Sequence, residues 1–306
     1  MQCKEGQMTE TAPASAVASV MGAQPPARSR RRRLPLNISL VVGIILTAGF
    51  LVLALLAFIW LPYNPNIPNM KMRLTPPFSA GHWLGTDALG RDVVSQLLAG
   101  ARTSIVVGAG GATLSLVVGT LLGIAAAAYG RVTDEVVSRS MDIMIAIPGM
   151  VTVLVLAATM GSGVVTTIVG LSAYFIPSFA RIIRAAAISV LQEDFITASK
   201  LYGRGRLFIL ARHVIPNISG VMIVQFTLYF AAGILAEAGL SYLGVGVTRP
   251  SVSWGMMLNE AQQSVGISSP LALWPGLAIM LVVFGLNLTG DGLRDILDPK
   301  LKRRNG

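Results

Sequence analysis

The sequence predicts an all-α, polytopic membrane protein with six transmembrane helices. Three observations carry this. Hydrophobic residues make up 53% of the 306 positions and charged residues only 12%, about half the charged share of an ordinary soluble domain. The apolar residues gather into six stretches, each close to the roughly 20 residues that cross a bilayer as a helix. The basic residues are segregated between alternate connecting segments. A single water-soluble globule is excluded, because it would need more polar surface than this chain supplies. Disorder throughout is excluded by the apolar fraction.

Residues 1–36 are rich in Ala, Ser, Pro and Gln and carry the run Arg28, Arg30, Arg31, Arg32 and Arg33. Such a composition builds no core and is expected to be a disordered basic tail. The run fits a topology signal or a contact for anionic lipid. The first span runs from about Asn37 to Leu61. It exceeds the roughly 7–15 apolar residues of a signal peptide. It also ends in Trp60, Leu61, Pro62 and Tyr63, an aromatic interface signature followed by a turn, so it reads as an uncleaved span.

Residues 62–99 form a long polar loop. The second span runs from about Thr103 to Tyr129, with Gly119 and Gly123 at the spacing that lets helices approach closely in lipid. A short charged turn over 131–139 leads to a third span, from about Ser140 to Met160. Gly161, Ser162 and Gly163 form a turn, and a fourth span follows to about Ala180, with a kink expected at Pro177. Residues 181–213 are polar, and Ile188, Leu191, Phe195 and Ala198 recur at helical spacing, as in an amphipathic helix outside the bilayer. The fifth span covers about Asn217 to Ala238, a second polar loop covers 241–270, and the sixth span runs from about Leu271 to Thr289. A charged tail fills 291–306. Trp83, Trp254 and Trp274 are expected as anchors at the interface opposite the tails.

Six spans put both termini on one side. Of the 24 Lys and Arg residues, 19 fall on that side, in 1–36, 130–139, 181–213 and 291–306; the five others are Lys71, Arg73, Arg91, Arg102 and Arg249. Basic residues are retained in the cytoplasm, so both termini are expected there. The net charge of +10 is thereby an orientation signal rather than a nucleic-acid surface.

No GxxxxGK[ST] phosphate loop, HExxH or CxxC occurs, and Cys3 is the single cysteine. No internal disulfide and no Cys-rich metal site is expected. His82 and His213 fall on opposite sides and cannot share a metal. No catalytic Ser/His/Asp set converges, so no catalytic residue and no metal ligand is named. Asp142 and Glu237 are acidic residues inside or at the edge of spans. Carboxylates there are costly and are functional candidates, unless span ends place them within reach of headgroups or cytoplasm. Asp142, Asn217 and Gln225 are the polar candidates for a substrate pathway. Asp87, Arg91 and Asp92 are expected to form a local ion-pair set that shapes the external loop or contacts a partner.

The segment Thr197, Ala198, Ser199, Lys200, Leu201, Tyr202, Gly203, with Pro216 after it, resembles the cytoplasmic coupling motif of ABC importer permeases. Ala198, Gly203 and Pro216 match in spacing, while Thr197 stands where the family has Glu. Three further segments resemble the dipeptide/oligopeptide/nickel branch, and most closely its second permease. They are His82–Asp87 with Leu89–Asp92, Glu237–Gly244 with Trp254 and Gly255, and Asn287–Asp295 with Leu297, Asp298 and Pro299. The resemblance covers about residues 37–302.

It implies a type I ABC importer permease fold with a cytoplasmic coupling helix near residues 190–203, in a prokaryotic plasma membrane. Glu193, Asp194, Phe195, Thr197, Ala198, Ser199, Lys200 and Gly203 are then the expected ATPase interface. Implied partners are a second homologous permease, two cytoplasmic ATPases that bind ATP and Mg, an extracytoplasmic substrate-binding protein and the lipid bilayer. No cofactor in this chain and no nucleic acid is implied. Substrates would be di- or oligopeptides or a small solute such as a nickel complex. A secondary transporter driven by an ion gradient is the alternative; its paired repeats, broken helices and buried carboxylates are thin here. A membrane-embedded enzyme would need convergent catalytic groups, and none are seen.

Overall fold

The computed structural model describes residues 38–79, 81–263 and 270–297. The arginine-rich tail, residues 264–269 of the second polar loop, and the chain after 297 with Asp298 and Pro299 lie outside the described residues.

The helix order follows the apolar runs. α1 is Ile38–Ile59, 22 residues without a charge. Its exposed side chains include Ile44, Ile45, Val52, Leu53 and Leu55, as expected of a helix that meets lipid on one face. α2 is Val93–Ala128. It starts ten residues before the apolar run that announced it, because Asp92 caps it by accepting the Ser95 N–H at 2.7 Å. The polar loop therefore ends at residue 92 rather than 99.

The third span is where the structure departs most. It is two helices, α3 (Arg131–Ala146) and α4 (Gly149–Met160), bent by 83° at their junction. Pro148 is the cause. It lacks an N–H and drives the preceding residue out of helical geometry; Ile147 is extended, at φ −87°, ψ 123°. α5 (Val164–Leu191) stays one helix across Pro177 and continues eleven residues past the expected end. α6 (Asp194–Leu201) and α7 (Arg206–Ile209) are short. A wider helical turn over Leu210–Val214 joins α7 to α8 (Ile215–Tyr242), with Pro216 in the first turn where no N–H is lost. α9 (Trp254–Gln262) lies within the second polar loop, and α10 (Pro270–Leu297) runs eight residues beyond the expected end of the sixth span.

Among the described residues, five helices are long and apolar enough to cross a membrane, six crossings if α3 and α4 form one broken span. Contacts along α5 decide for six. Asp134 pairs with Arg184 and Asp142 with Arg181. Gly149 packs on Tyr174 and Gly170 on Val153. Thr248 Oγ1 then donates to the Ser162 carbonyl at 3.5 Å. The chain thus climbs antiparallel to α5 from one end of the bundle to the other. Ile38 and Leu297 share an end, since α1 and α10 are antiparallel, with Leu40 against Gly292 and the Thr47 and Thr289 hydroxyls 3.1 Å apart.

α2 and α5 form the most extensive helix pair. A Cβ on Gly123 would lie 2.6 Å from the Ala180 carbonyl oxygen and 2.9 Å from the Arg184 nitrogen. Both are backbone atoms and cannot rotate away. Gly123→Val is expected to lower thermal stability by about 3 kcal/mol, measured on the purified protein in detergent. Gly49→Ala, whose new Cβ meets nothing within 4 Å, should be neutral. Equal stability of the two variants would contradict this packing.

Candidate functional site

At the end of the bundle that holds Ile38 and Leu297, α6 has one side buried and the other exposed. α5 stops at Leu191, and Glu193 is extended before α6 begins. Ile196 is fully buried in a cluster with Ile124 of α2, Phe179 and Ile183 of α5, Val214 of the turn before α8 and Ile218 of α8. Such burial contributes about 2 kcal/mol and ties α6 to three long helices at once. Ser199, one turn on, is also buried, whereas Glu193, Asp194, Phe195, Thr197, Ala198 and Lys200 are exposed. Asp194 in the first turn and Lys200 in the last complement the helix dipole.

The end of α6 is a Schellman turn. The Gly203 N–H donates to the Lys200 carbonyl at 3.0 Å, and the Arg204 N–H to the Ser199 carbonyl at 3.3 Å. Gly203 has φ +72°, a conformation that costs a side-chain-bearing residue about 1–2 kcal/mol. The turn presents Leu201 and Tyr202, which are 85% and 86% exposed, with Phe195, Leu207 and Phe208 nearby in sequence and also exposed. Phe195 and Phe208 flank the ring of His213 at 6.1 and 5.9 Å. The sequence reading missed Ile196, Leu201 and Tyr202. Apolar residues out of phase with a buried Ile196 were the available signal.

The three pathway candidates are not brought together. Asp142 pairs with Arg181 at 2.6 Å, and both are more than half exposed. Asn217 is exposed, its Nδ2 donating to the His213 carbonyl at 2.7 Å. Gln225 lines a cavity of about 340 Å³ between α8 and α10, with Arg294 at its rim.

At the opposite end, Arg91 organises the loop. It is 4% exposed. Its Nε donates to Asp87 Oδ2 at 2.5 Å and its Nη2 to Glu260 Oε2 of α9 at 2.6 Å. Gln96 Nε2 also donates to Asp87, and Arg249 holds Glu260 from the other side. Asp92 takes no part in that pairing; it caps α2 and holds His82 Nδ1 at 2.9 Å. Only Asp87 and Arg91 of the expected local set pair with each other, and their principal partner across the fold lies 169 positions away. His82 and His213 are at opposite ends of the bundle.

Glu237 is not at a lipid-facing span end. It is fully buried and accepts Ser253 Oγ at 2.6 Å and Ser241 Oγ at 2.7 Å, with Ser104 Oγ of α2 at 3.5 Å. Ser241 Oγ in turn accepts the Val247 N–H, and Ser253 caps α9 through the Gly255 N–H. One carboxylate therefore fastens the loop before α9 onto α8. Trp254 is likewise no interface anchor. It is 3% exposed, packs on Phe50 at 6.0 Å and donates Nε1 to the Leu97 carbonyl at 3.0 Å. Trp83 is the exposed one.

The family model of the binding-protein-dependent transport system inner membrane component matches residues 119–303. The dipeptide transport system permease protein DppC of Alkalihalophilus pseudofirmus is 38% identical over 277 residues, 90% of this chain and 91% of that one. The di/tripeptide transport system permease protein DppC of Pseudomonas aeruginosa is 40% identical over 246 residues, 79% and 81% of the two chains. The glutathione transport system permease protein GsiD of Pectobacterium atrosepticum is 38% identical over 260 residues, 83% and 86%. The matched region takes in the last ten residues of α2 and the whole of α5, α6, α8 and α9. With relatives aligned over nearly their whole length, the chain belongs to the family of binding-protein-dependent transport system inner membrane components.

Proposed function

We propose that the chain is the transmembrane permease subunit of an ATP-driven importer of the ABC class, forming half of a translocation pathway for di- or oligopeptides. The observation that carries this is the geometry of α6. A short helix is anchored by Ile196 into α2, α5 and α8 while its other side is exposed and its C-terminal turn presents Leu201 and Tyr202 to solvent. Force applied to that turn moves three spans, and a chain without a phosphate loop must receive such force from another subunit. A helix face of this kind suits a groove on a partner. The partners are then two cytoplasmic ATPases, which bind ATP and Mg, a second homologous permease, and an extracytoplasmic binding protein that delivers substrate. Glu193, Asp194, Phe195, Thr197, Ala198, Lys200 and Gly203 form the docking side, and Ser199 backs it.

The surplus of basic residues at the end that holds α6 supports a cytoplasmic location for both termini in a prokaryotic plasma membrane. The names of the relatives support a peptide over a nickel complex, since each names a peptide or glutathione. The ion-gradient alternative has no support in the family match or in the relatives.

Alternating access follows from differential affinity: ATP, binding protein and substrate each stabilise one arrangement of the spans over the other. The test is gentle purification of the tagged chain, which should bring two ATPases and a second permease, followed by reconstituted uptake of a di- and tripeptide mixture. Transport by the lone chain would refute it. Gly203→Val should lower ATP-dependent uptake about fivefold or more, through the cost of a left-handed β-branched residue, while membrane insertion is unchanged. Normal uptake would remove the turn from the docking assignment.

A further inference from the structure

Charged side chains at membrane depth need a partner or water, and so does broken helix. Non-helical backbone within a membrane is tolerated only where it is buried in protein or lines a water-filled cavity. On one face of this bundle an exposed ion pair adjoins such a break. Arg181 lies about 15 Å along α5 from Leu191 and about 26 Å from Val164 at 1.5 Å per residue, where the apolar run of the span gives way to polar helix. Asp142 faces it from the broken span, 2.6 Å away, and the pair is 58% and 65% exposed at the side chains. The break follows at Ile147 and Pro148, both exposed. The exposed positions of α5 include Tyr174, Arg181 and Ser189 beside Val165 and Ala185, whereas α1 exposes Ile, Val and Leu to lipid. The second ion pair between these helices, Asp134 with Arg184, is half as exposed and bidentate; it suffices to tie α3 to α5. The outer pair is thus surplus to fastening.

We infer that Asp142 and Arg181 line the water-filled pathway and exchange their mutual pairing for the ammonium and carboxylate termini of a peptide in transit. The inference rests on the peptide-importer reading above and adds to it the residues that meet the substrate. A zwitterion is the ligand that such a pair matches. Each side chain that loses its partner gains a terminus of opposite sign, so no charge is left unpaired at low dielectric. A neutral solute offers no such exchange.

The test uses the reconstituted assembly with its ATPases and binding protein. Since Cys3 is the only native cysteine, Asp142→Cys and Arg181→Cys in a Cys3→Ser background report access directly. Both should react with a charged, membrane-impermeant thiol reagent, read on this chain by mass spectrometry, and the di- and tripeptide mixture should slow that reaction. Val52→Cys on the exposed face of α1 should stay unreactive. Asp142→Asn and Arg181→Gln should each lower peptide moved per ATP hydrolysed by about tenfold, with assembly yield unchanged because an exposed pair adds little stability. Labelling as slow as at position 52, labelling that peptide leaves unaffected, or an unchanged ratio of peptide to ATP would each overturn the inference. If wild-type uptake of the peptide mixture is normal in those cases, this inference alone fails; if the wild-type assembly moves no peptide, the importer reading for peptides fails with it.

Discussion

Replacing Leu201 and Tyr202 together with serine is expected to reduce ATP-dependent uptake by more than about tenfold while leaving the fold intact. The two side chains are 85% and 86% exposed, so removing them takes almost nothing from the core. Exposed apolar anchors at the tip of a planted helix gain their value only when a partner's groove desolvates them. The loss should appear as ATPase subunits that no longer co-purify and as basal ATP hydrolysis uncoupled from uptake. Ile196→Ala offers the contrast. It empties a site with no exposure at all and should lower stability by about 2–5 kcal/mol, with uptake falling alongside folded yield. Should the double serine variant retain ATPases and transport at wild-type rates, α6 is not the docking element.

The second large effect is expected at Glu237. Glu237→Leu leaves the hydroxyls of Ser241 and Ser253 without the acceptor they reach at 2.7 and 2.6 Å. Each stranded buried group costs about 1–3 kcal/mol, so a total near 4 kcal/mol is expected, seen as loss of monodisperse protein in detergent. The damage should centre on the loop leading to α9, because Ser253 both binds the carboxylate and caps that helix. Glu237→Gln keeps one acceptor oxygen and adds donors that the serine oxygens accept, so it should recover more than half of the lost stability. Protease sensitivity confined to residues 243–253 in the leucine variant would support the tether. A leucine variant as stable as wild type would show that the cluster holds nothing.

Much was readable along the chain because the determinants are local. Span positions follow from transfer free energies that add over about 20 consecutive residues. The turn at Gly203 follows from one residue's tolerance of positive φ. The close approach at Gly119 and Gly123 follows from the missing Cβ atoms. Where several local signals competed, position along the chain misled. Asp92 looked like part of an ion-pair set with Arg91 but caps α2. Pro177 sits inside a continuous α5, while the third span breaks at Pro148. The polar runs after Ala180 and Thr289 read as a separate amphipathic helix and a charged tail, yet α5 and α10 continue into them without a break; a polar residue ends a membrane span without ending a helix.

By itself, then, the sequence determined a helical membrane protein, the places of its apolar crossings and the segregation of its basic residues. The tertiary structure alone decided which side chains share an environment. It buried Trp254 and Glu237 at sites expected to face an interface, joined Arg91 to Glu260 across the fold, and planted Ile196 so that Leu201 and Tyr202 stand free. The physical reason is range. Hydropathy and backbone preference are properties of neighbours in the chain, whereas burial and ion pairing depend on which distant segments the packed helices bring within a few ångströms.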